Sequence, residues 1–178
     1  LRQVLEAHRS AGLKLQPEKC SLFQEEVEYL GHMVSAKGVR PVEDYVNIIQ
    51  AWPKPRTKSE VRIFLGKVGY YRRFIKGYSG IASPLTDVIG KTTSAEEKEE
   101  LEFSPAMTHA FETLKQRLLE SPILAYPDFN SSSPFILDTD WSLDNNAIGG
   151  VLSQEQGGKE RVIIYGGKKL SASQRNYS

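Results

Sequence analysis

Thr57–Pro84, TKSEVRIFLGKVGYYRRFIKGYSGIASP, is the stretch that organises the chain. The spacing predicts a helix that starts at a Thr57-x-x-Glu60 capping box. It buries Val61, Phe64, Leu65 and Val68, with Tyr71 at the margin. Arg62, Gly66, Gly69, Arg73 and Lys76 follow one another at intervals of four, three, four and three, which stacks them on one side. Glycine in a helix interior costs about 1 kcal/mol relative to alanine. Two of them on one face mark a surface that something approaches closely. Cations around a bare backbone suit a polyanion, with Tyr70 beside the row to pack on sugar or base edges. Close helix–helix packing at the glycines, with the arginines solvated outside, fits the same pattern. Periodicity alone leaves both readings open.

The charge distribution extends the first reading. The net charge of the 178 residues is only +1, so bulk charge selects no partner. Between Arg40 and Lys91, however, ten basic side chains face four acidic ones (Glu43, Asp44, Glu60 and Asp87). Thr92–Glu102 reverses the sign, with five glutamates against Lys98. A basic module beside an acidic linker suits a phosphate backbone, although solvated helix faces give the same distribution. With 39% apolar, 25% charged and 10% aromatic residues, the composition is that of a globular protein and excludes a disordered chain. The length suits one domain or two small ones. Cys20 is the single cysteine, so no internal disulfide forms and a reducing, intracellular setting is expected. No apolar run approaches a membrane span, and no signal-peptide pattern opens the chain. The chain begins inside a helical pattern and stops just after a helix-start signal, so both ends are expected to be cuts in something longer.

Outward from the central stretch, Leu1–Ala11 reads as a helix stopped by Gly12, and Lys14–Phe23 as extended chain or loop. His8 has no ligand-spaced partner and reads as structural. Val27–Ser35 is rich in strand formers, and Lys37-Gly38 supplies a turn before Val39, which predicts a hairpin. Gly31 inside it marks a bulge or a close backbone approach. Val42–Trp52 reads as a short helix ended by Pro53 and Pro55. Pro105–Glu120 reads as an amphipathic helix on Met107, Ala110, Phe111, Leu114 and Leu118. Then Phe135–Asp140, Ala147–Ser153 and Arg161–Tyr165 read as strands of an antiparallel meander, turning at Asp144-Asn145-Asn146 and Gln156-Gly157-Gly158. Ser171 reads as a helix N-cap.

The ordered motifs LKLQPEKCSLF, VEYLGHMVSAKGVRP, AWPKP, FLGKVGYYRRFI, AFETLKQRLLESPILAYPD, FILDTDWS, AIGGVLSQ and NYS span nearly the whole chain. Each is weak alone; their order and spacing are specific. Together they resemble the C-terminal half of a reverse transcriptase of a gypsy-class LTR retrotransposon, running into its ribonuclease H domain. The resemblance implies that residues 1–40 end a palm. There Tyr29, Leu30, Gly31 and His32 would form a primer-grip-like hairpin. Residues 41–90 would be a thumb, 91–130 a connecting segment and 131–178 the start of a ribonuclease H domain. Arg62, Gly66 and Tyr70, spaced by four, match the thumb track that lies in the minor groove of the template–primer duplex. Lys58, Arg72, Arg73 and Lys76, with Gly69 on the same helix, complete the implied nucleic-acid surface. Contacts to phosphates position a duplex without reading its sequence.

The resemblance also bounds the chemistry. The family's polymerase carboxylates sit in a Tyr-x-Asp-Asp hairpin and an earlier aspartate, and neither occurs in this sequence. Its first ribonuclease H carboxylate falls in Thr139-Asp140-Trp141-Ser142, so Asp140 is the one catalytic candidate and a weak candidate metal ligand. Asp138 and Asp140 on one strand face could hold one metal weakly or simply form a partly exposed strand end; Asp144 reads as turn. Trp141, Gly166-Gly167 and Gln174 depart from the family pattern, which puts local packing around Asp140 in question.

The fold expected is α+β: a helical thumb-like module, preceded by a β-hairpin and followed by a partial, three-stranded ribonuclease H-like sheet. The function expected is grip on an RNA–DNA hybrid or DNA duplex within a Pol polyprotein, whose other parts are partners. Magnesium would serve the intact enzyme; none is expected for this piece, and no membrane. The alternative is a domesticated, non-catalytic retroelement module that binds another protein.

Overall fold

The computed structural model describes residues 1–90, 98, 100–142, 146–171 and 173–174. Most of the acidic linker and the turn expected at Asp144 lie outside the described residues.

The chain opens with α1 (Arg2–Ser10) and a 3₁₀ turn at Pro17–Lys19 within the loop expected there. Three short strands follow, β1 (Glu26–Tyr29), β2 (His32–Ser35) and β3 (Gly38–Pro41), in an antiparallel sheet of that order. The hairpin expectation is corrected in one respect. Gly31 does not sit inside a strand; Leu30-Gly31 is the two-residue turn between β1 and β2, with φ of 48° and 72°. Positive φ at both central positions matches the right-handed twist of the flanking strands. A second turn at Ala36-Lys37 then adds β3.

Helices α2 (Glu43–Gln50) and α3 (Lys58–Tyr70) come next. The predicted cap is present: the Glu60 amide donates to Thr57 Oγ1 at 3.2 Å, while the Glu60 carboxylate accepts from the Arg56 amide at 2.7 Å. The expected core face of α3 is buried at Val61, Phe64 and Val68. The helix is shorter than its spacing predicts. It ends at Tyr70, and a 3₁₀ turn (Arg72–Phe74), Gly77 at φ 72°, α4 (Tyr78–Ile81) and α5 (Ser83–Ile89) take its place. The basic row is therefore not one continuous helical stripe beyond Tyr70.

Helix α6 (Pro105–Leu119) is capped by Ser104, whose Oγ accepts the Met107 amide at 3.2 Å, and all five predicted apolar residues are buried. Phe64 and Phe111 meet at 4.6 Å between ring centroids, joining α3 and α6 at the centre of the core. Leu124 pairs with Val39 through two backbone hydrogen bonds of 2.8 and 2.9 Å, which fastens the segment after α6 to the edge of the first sheet.

The last three strands form the predicted antiparallel meander and are longer than expected: β4 (Phe135–Ser142), β5 (Ala147–Gln156) and β6 (Lys159–Lys169). Val162 and Tyr165 of β6 pack against the helical core. Buried Gln154 ties down the preceding loop: it accepts from the Asp128 amide and donates to the carbonyls of Asp128 and Ser133. Ser171 and Gln174 exchange the two hydrogen bonds of a capping box; the helix this would start lies outside the described residues.

Candidate nucleic-acid interface

Helix geometry places Lys58, Arg62, Gly66 and Tyr70 on one row, four residues apart. Lys58 is half-buried and the other three are exposed. A Cβ added at Gly66 would meet nothing within 4 Å, so the bare backbone there opens outward. Gly69 behaves differently. A Cβ there would lie 3.1 Å from the Tyr78 hydroxyl, which itself donates to the Leu65 carbonyl. The two expected glycine roles are thus divided: Gly66 faces solvent, and Gly69 makes room for a neighbouring tyrosine.

The row runs directly into the β1–β2 turn. The Tyr70 hydroxyl donates to the Leu30 carbonyl, and the Tyr71 hydroxyl donates to the Gly31 carbonyl at 3.0 Å. His32 completes the joint. Its ring stacks on Tyr70, with centroids 5.3 Å apart and planes 7° from parallel, and meets Tyr71 edge-on at 5.7 Å and Phe74 at 5.5 Å. Gly31 is required on two grounds: its φ is positive, and a Cβ would crowd the Tyr71 hydroxyl at 3.3 Å. The structure therefore brings Leu30, Gly31 and His32 against the C-terminal end of the Arg62–Gly66–Tyr70 row, while Tyr29, paired with His32 in the hairpin, is exposed beside them. Tyr71, absent from the sequence-derived set, is the residue that locks the two together.

Electrostatics follow from this packing. Burial, and secondarily the nearby Arg73 guanidinium, push the His32 pKa below its ordinary 6.5. The ring is therefore neutral at pH 7, and its buried Nδ1 has no hydrogen-bond partner among the described residues. Because the unfolded ring protonates first as pH falls through 6.5, this joint weakens in acid. Burial pushes the Tyr71 phenol up to about 12, which keeps the hydroxyl protonated and donating to the Gly31 carbonyl.

The remaining cations divide by position. Arg72 and Arg73 are exposed on the 3₁₀ turn beside this joint, with Arg73 5.9 Å from the Phe74 ring centroid. Lys76 lies elsewhere, in the wall of a depression of about 450 Å³ that Asp138, Asp140 and Glu160 also line. Among the described residues, no carboxylate pairs with Lys58, Arg72, Arg73 or Lys76.

Asp140 is exposed on β4, opposite Gly149 of β5, and Asp138 precedes it by two residues on the same strand face. No group of three or more His, Cys, Asp or Glu side chains with metal-ligand geometry occurs among the described residues. Asp144 lies outside the described residues.

Residues 103–178 match the RNase H-like domain found in reverse transcriptase. Over 94% of its length, the chain is 39% identical to the retrovirus-related Pol polyprotein from transposon 297 of Drosophila melanogaster. It is 36% identical over all of its length to that from transposon opus of the same organism. The chain is homologous to the Pol polyproteins of gypsy-type transposons. The Tf2-3 polyprotein of Schizosaccharomyces pombe also matches across the whole chain, at 33% identity. This Pol-type segment spans 15%, 18% and 13% of those three relatives' lengths, so it corresponds to a small part of each. Its fold is that of a foamy viral protease–reverse transcriptase solved in complex with double-stranded DNA, at a TM-score of 0.73, 22% identity, and coverage of 98% of this chain and 29% of that one. A foamy viral protease–reverse transcriptase with an RNA/DNA hybrid superposes at 0.70, with 22% identity, over 90% of this chain and 21% of that one. The α+β architecture of the Pol-type segment is accordingly that of a reverse-transcriptase and RNase H region.

Proposed function

We propose that this chain is the duplex-gripping part of a retrotransposon reverse transcriptase. It holds an RNA–DNA hybrid or DNA template–primer by the Arg62–Gly66–Tyr70 row and the adjoining Tyr29–His32 turn. The observation that carries this reading is the continuity of the two features. An open glycine flanked by cations leads into a rigid, tyrosine-bound hairpin tip, giving a single surface for one duplex edge. Lys58, Arg72 and Arg73 would supply phosphate contacts, which fix position without selecting sequence. Lys76 stands apart from that surface and beside Asp140, and Gly69 acts behind it. In this reading residues 1–40 complete a palm, 41–90 a thumb, 91–130 a connector and 131–178 the start of an RNase H domain.

The RT/RNase H family uses divalent metals. Asp140, with Asp138 beside it, does not make a two-metal centre, and the Lys76 ammonium shares the same depression. Polymerase and ribonuclease chemistry would then require carboxylates from other parts of the polyprotein. No helix among the described residues is long and apolar enough to cross a membrane, and we place the intact polyprotein inside the cell.

The test is binding of fluorescently labelled hybrid across a salt series. The expected result is log K falling linearly with log salt, with a slope near −0.9 per phosphate neutralised. Permuting the base sequence should leave affinity within about threefold, as expected of backbone contacts. Salt-independent binding, or strong sequence preference, would contradict the reading.

A further inference from the structure

An open groove runs between α2 and α3 and encloses about 830 Å³, a size suited to a small molecule. It has depth. Ile49 and Tyr71, which line it, are 3% and 4% exposed and form its floor, whereas Ile48 and Ile63 at its lips are 54% and 51% exposed. Gly66 is the reason the space is unfilled. It lines the groove, and a Cβ there would meet nothing within 4 Å, so a larger residue would stand in the gap. The phosphate contacts described above use exposed cations and need no such hollow.

The lining specifies a chemistry. Tyr45, Trp52, Tyr70 and Tyr71 give it four aromatic side chains, which favour offset or edge contacts with a flat ring. Lys67 is the single charged residue of the lining, and no carboxylate pairs with it among the described residues. The Tyr70 and Tyr71 hydroxyls give their protons to the Leu30 and Gly31 carbonyls. The Tyr45 hydroxyl is hydrogen-bonded to none of the described residues. The groove thus combines an aromatic and aliphatic interior with one ammonium and one free phenol donor. A planar ring bearing one carboxylate matches both parts: the ring is buried, and the charge accepts from Lys67 or Tyr45. A cationic ring would meet Lys67 and find no counter-charge.

We propose that the α2–α3 groove is a binding site for a small planar aromatic anion. Gly66 and Tyr70 also belong to the duplex row, so an occupied groove would exclude the duplex; that consequence rests on the duplex-grip reading, and the site itself does not. The test titrates the 178-residue chain with naphthoate and with uncharged naphthamide by calorimetry, then repeats both with Ile48→Asp and with Lys67→Gln. Both positions are exposed, so the core is untouched. Naphthoate is expected to bind one-to-one with a Kd of about 0.1 mM, as a ligand of about a dozen heavy atoms does in a well-formed site. It should be favoured over naphthamide about threefold, the strength of a partly solvated ion pair. Ile48→Asp should weaken naphthoate at least ~10-fold, and Lys67→Gln should erase the preference for the anion. Naphthoate at about ten times its Kd should weaken hybrid binding roughly 10-fold. Absence of naphthoate binding up to about 5 mM would overturn the site. So would binding indifferent to Ile48→Asp, which would put the ligand elsewhere, as on the exposed sheet face at Leu137 and Trp141. Equal binding of acid and amide would overturn the choice of an anion. Unchanged hybrid affinity in a chain that holds naphthoate in this groove would overturn the exclusion, and a chain that takes naphthoate but no duplex would overturn the grip reading alone.

Discussion

Arg62→Glu combined with Arg73→Glu is expected to lower affinity for an RNA–DNA hybrid by roughly 100-fold at 0.1 M salt. The two side chains flank Tyr70, one on the helical row and one on the 3₁₀ turn that follows it. Both are exposed, so reversal leaves the core intact. Each loses a favourable phosphate contact and adds a repelling carboxylate. The loss should come with a signature that unfolding does not produce: the slope of log K against log salt becomes shallower by roughly two. Affinity and slope equal to those of the parent chain would show that these cations do not share a surface with the ligand. Lys76→Glu is the useful comparison. Lys76 lies with Asp138 and Asp140 rather than on the row, and its reversal should cost much less.

Gly38→Ala is expected to be the most damaging small substitution for folding. Gly38 opens β3 with φ at 134°, and a Cβ there would lie 2.1 Å from the Leu124 carbonyl oxygen and 2.9 Å from Ile123 Cγ2. The nearer neighbour is backbone, which cannot swing aside as the exposed Ile123 side chain can. The Leu124 carbonyl is held by the Val39 amide, and the Leu124 amide by the Val39 carbonyl. An alanine must break that pair or force the backbone out of place. Overpacking plus strain at a positive φ predicts a loss of about 3–5 kcal/mol. For a chain of this size that lowers Tm by roughly 10 °C or more. A melting temperature within a degree or two of the parent's would mean that the Val39–Leu124 pairing is not a fixed part of the fold.

Local patterns explain which parts of this structure were readable in advance. The five buried residues of α6 and the core face of α3 recur at helical spacing, and the Thr57–Glu60 cap is a four-residue signal. The three-stranded meander was visible for similar reasons, in β-formers separated by turn residues. The end of α3 was not visible. Tyr71, Phe74, Ile75 and Tyr78 keep the three-and-four spacing of a helix, so a 3₁₀ turn after Tyr70 leaves the apolar period undisturbed. The residue pattern hid the β1–β2 turn, which only the resemblance placed at Tyr29–His32, because leucine is an uncommon residue at positive φ; Leu30 adopts it at 48° where two tyrosines bind the turn.

The candidate site divides along the same line. The row Arg62–Gly66–Tyr70 is a single-helix feature and could be read directly. The lock between Tyr70, Tyr71 and the turn joins residues 40 positions apart, and no periodicity announces such a contact. Gly66 and Gly69 were indistinguishable in sequence; only the position of Tyr78 separates them. Gln154 was missed for a related reason, since a buried polar side chain is justified only by the loop carbonyls it meets.

Gly66→Leu, assayed for thermal stability and hybrid affinity in the same preparation, tests the central claim most directly. Nothing lies within 4 Å of a Cβ built at Gly66, and leucine is favoured over glycine in a helix by about 0.5–1 kcal/mol. The account predicts a melting temperature raised by roughly 1–4 °C together with affinity lowered at least ~10-fold, the effect of a side chain standing where a duplex must touch backbone. Unchanged affinity in a stabilised variant would contradict it, because the open glycine would then not be where the duplex lies.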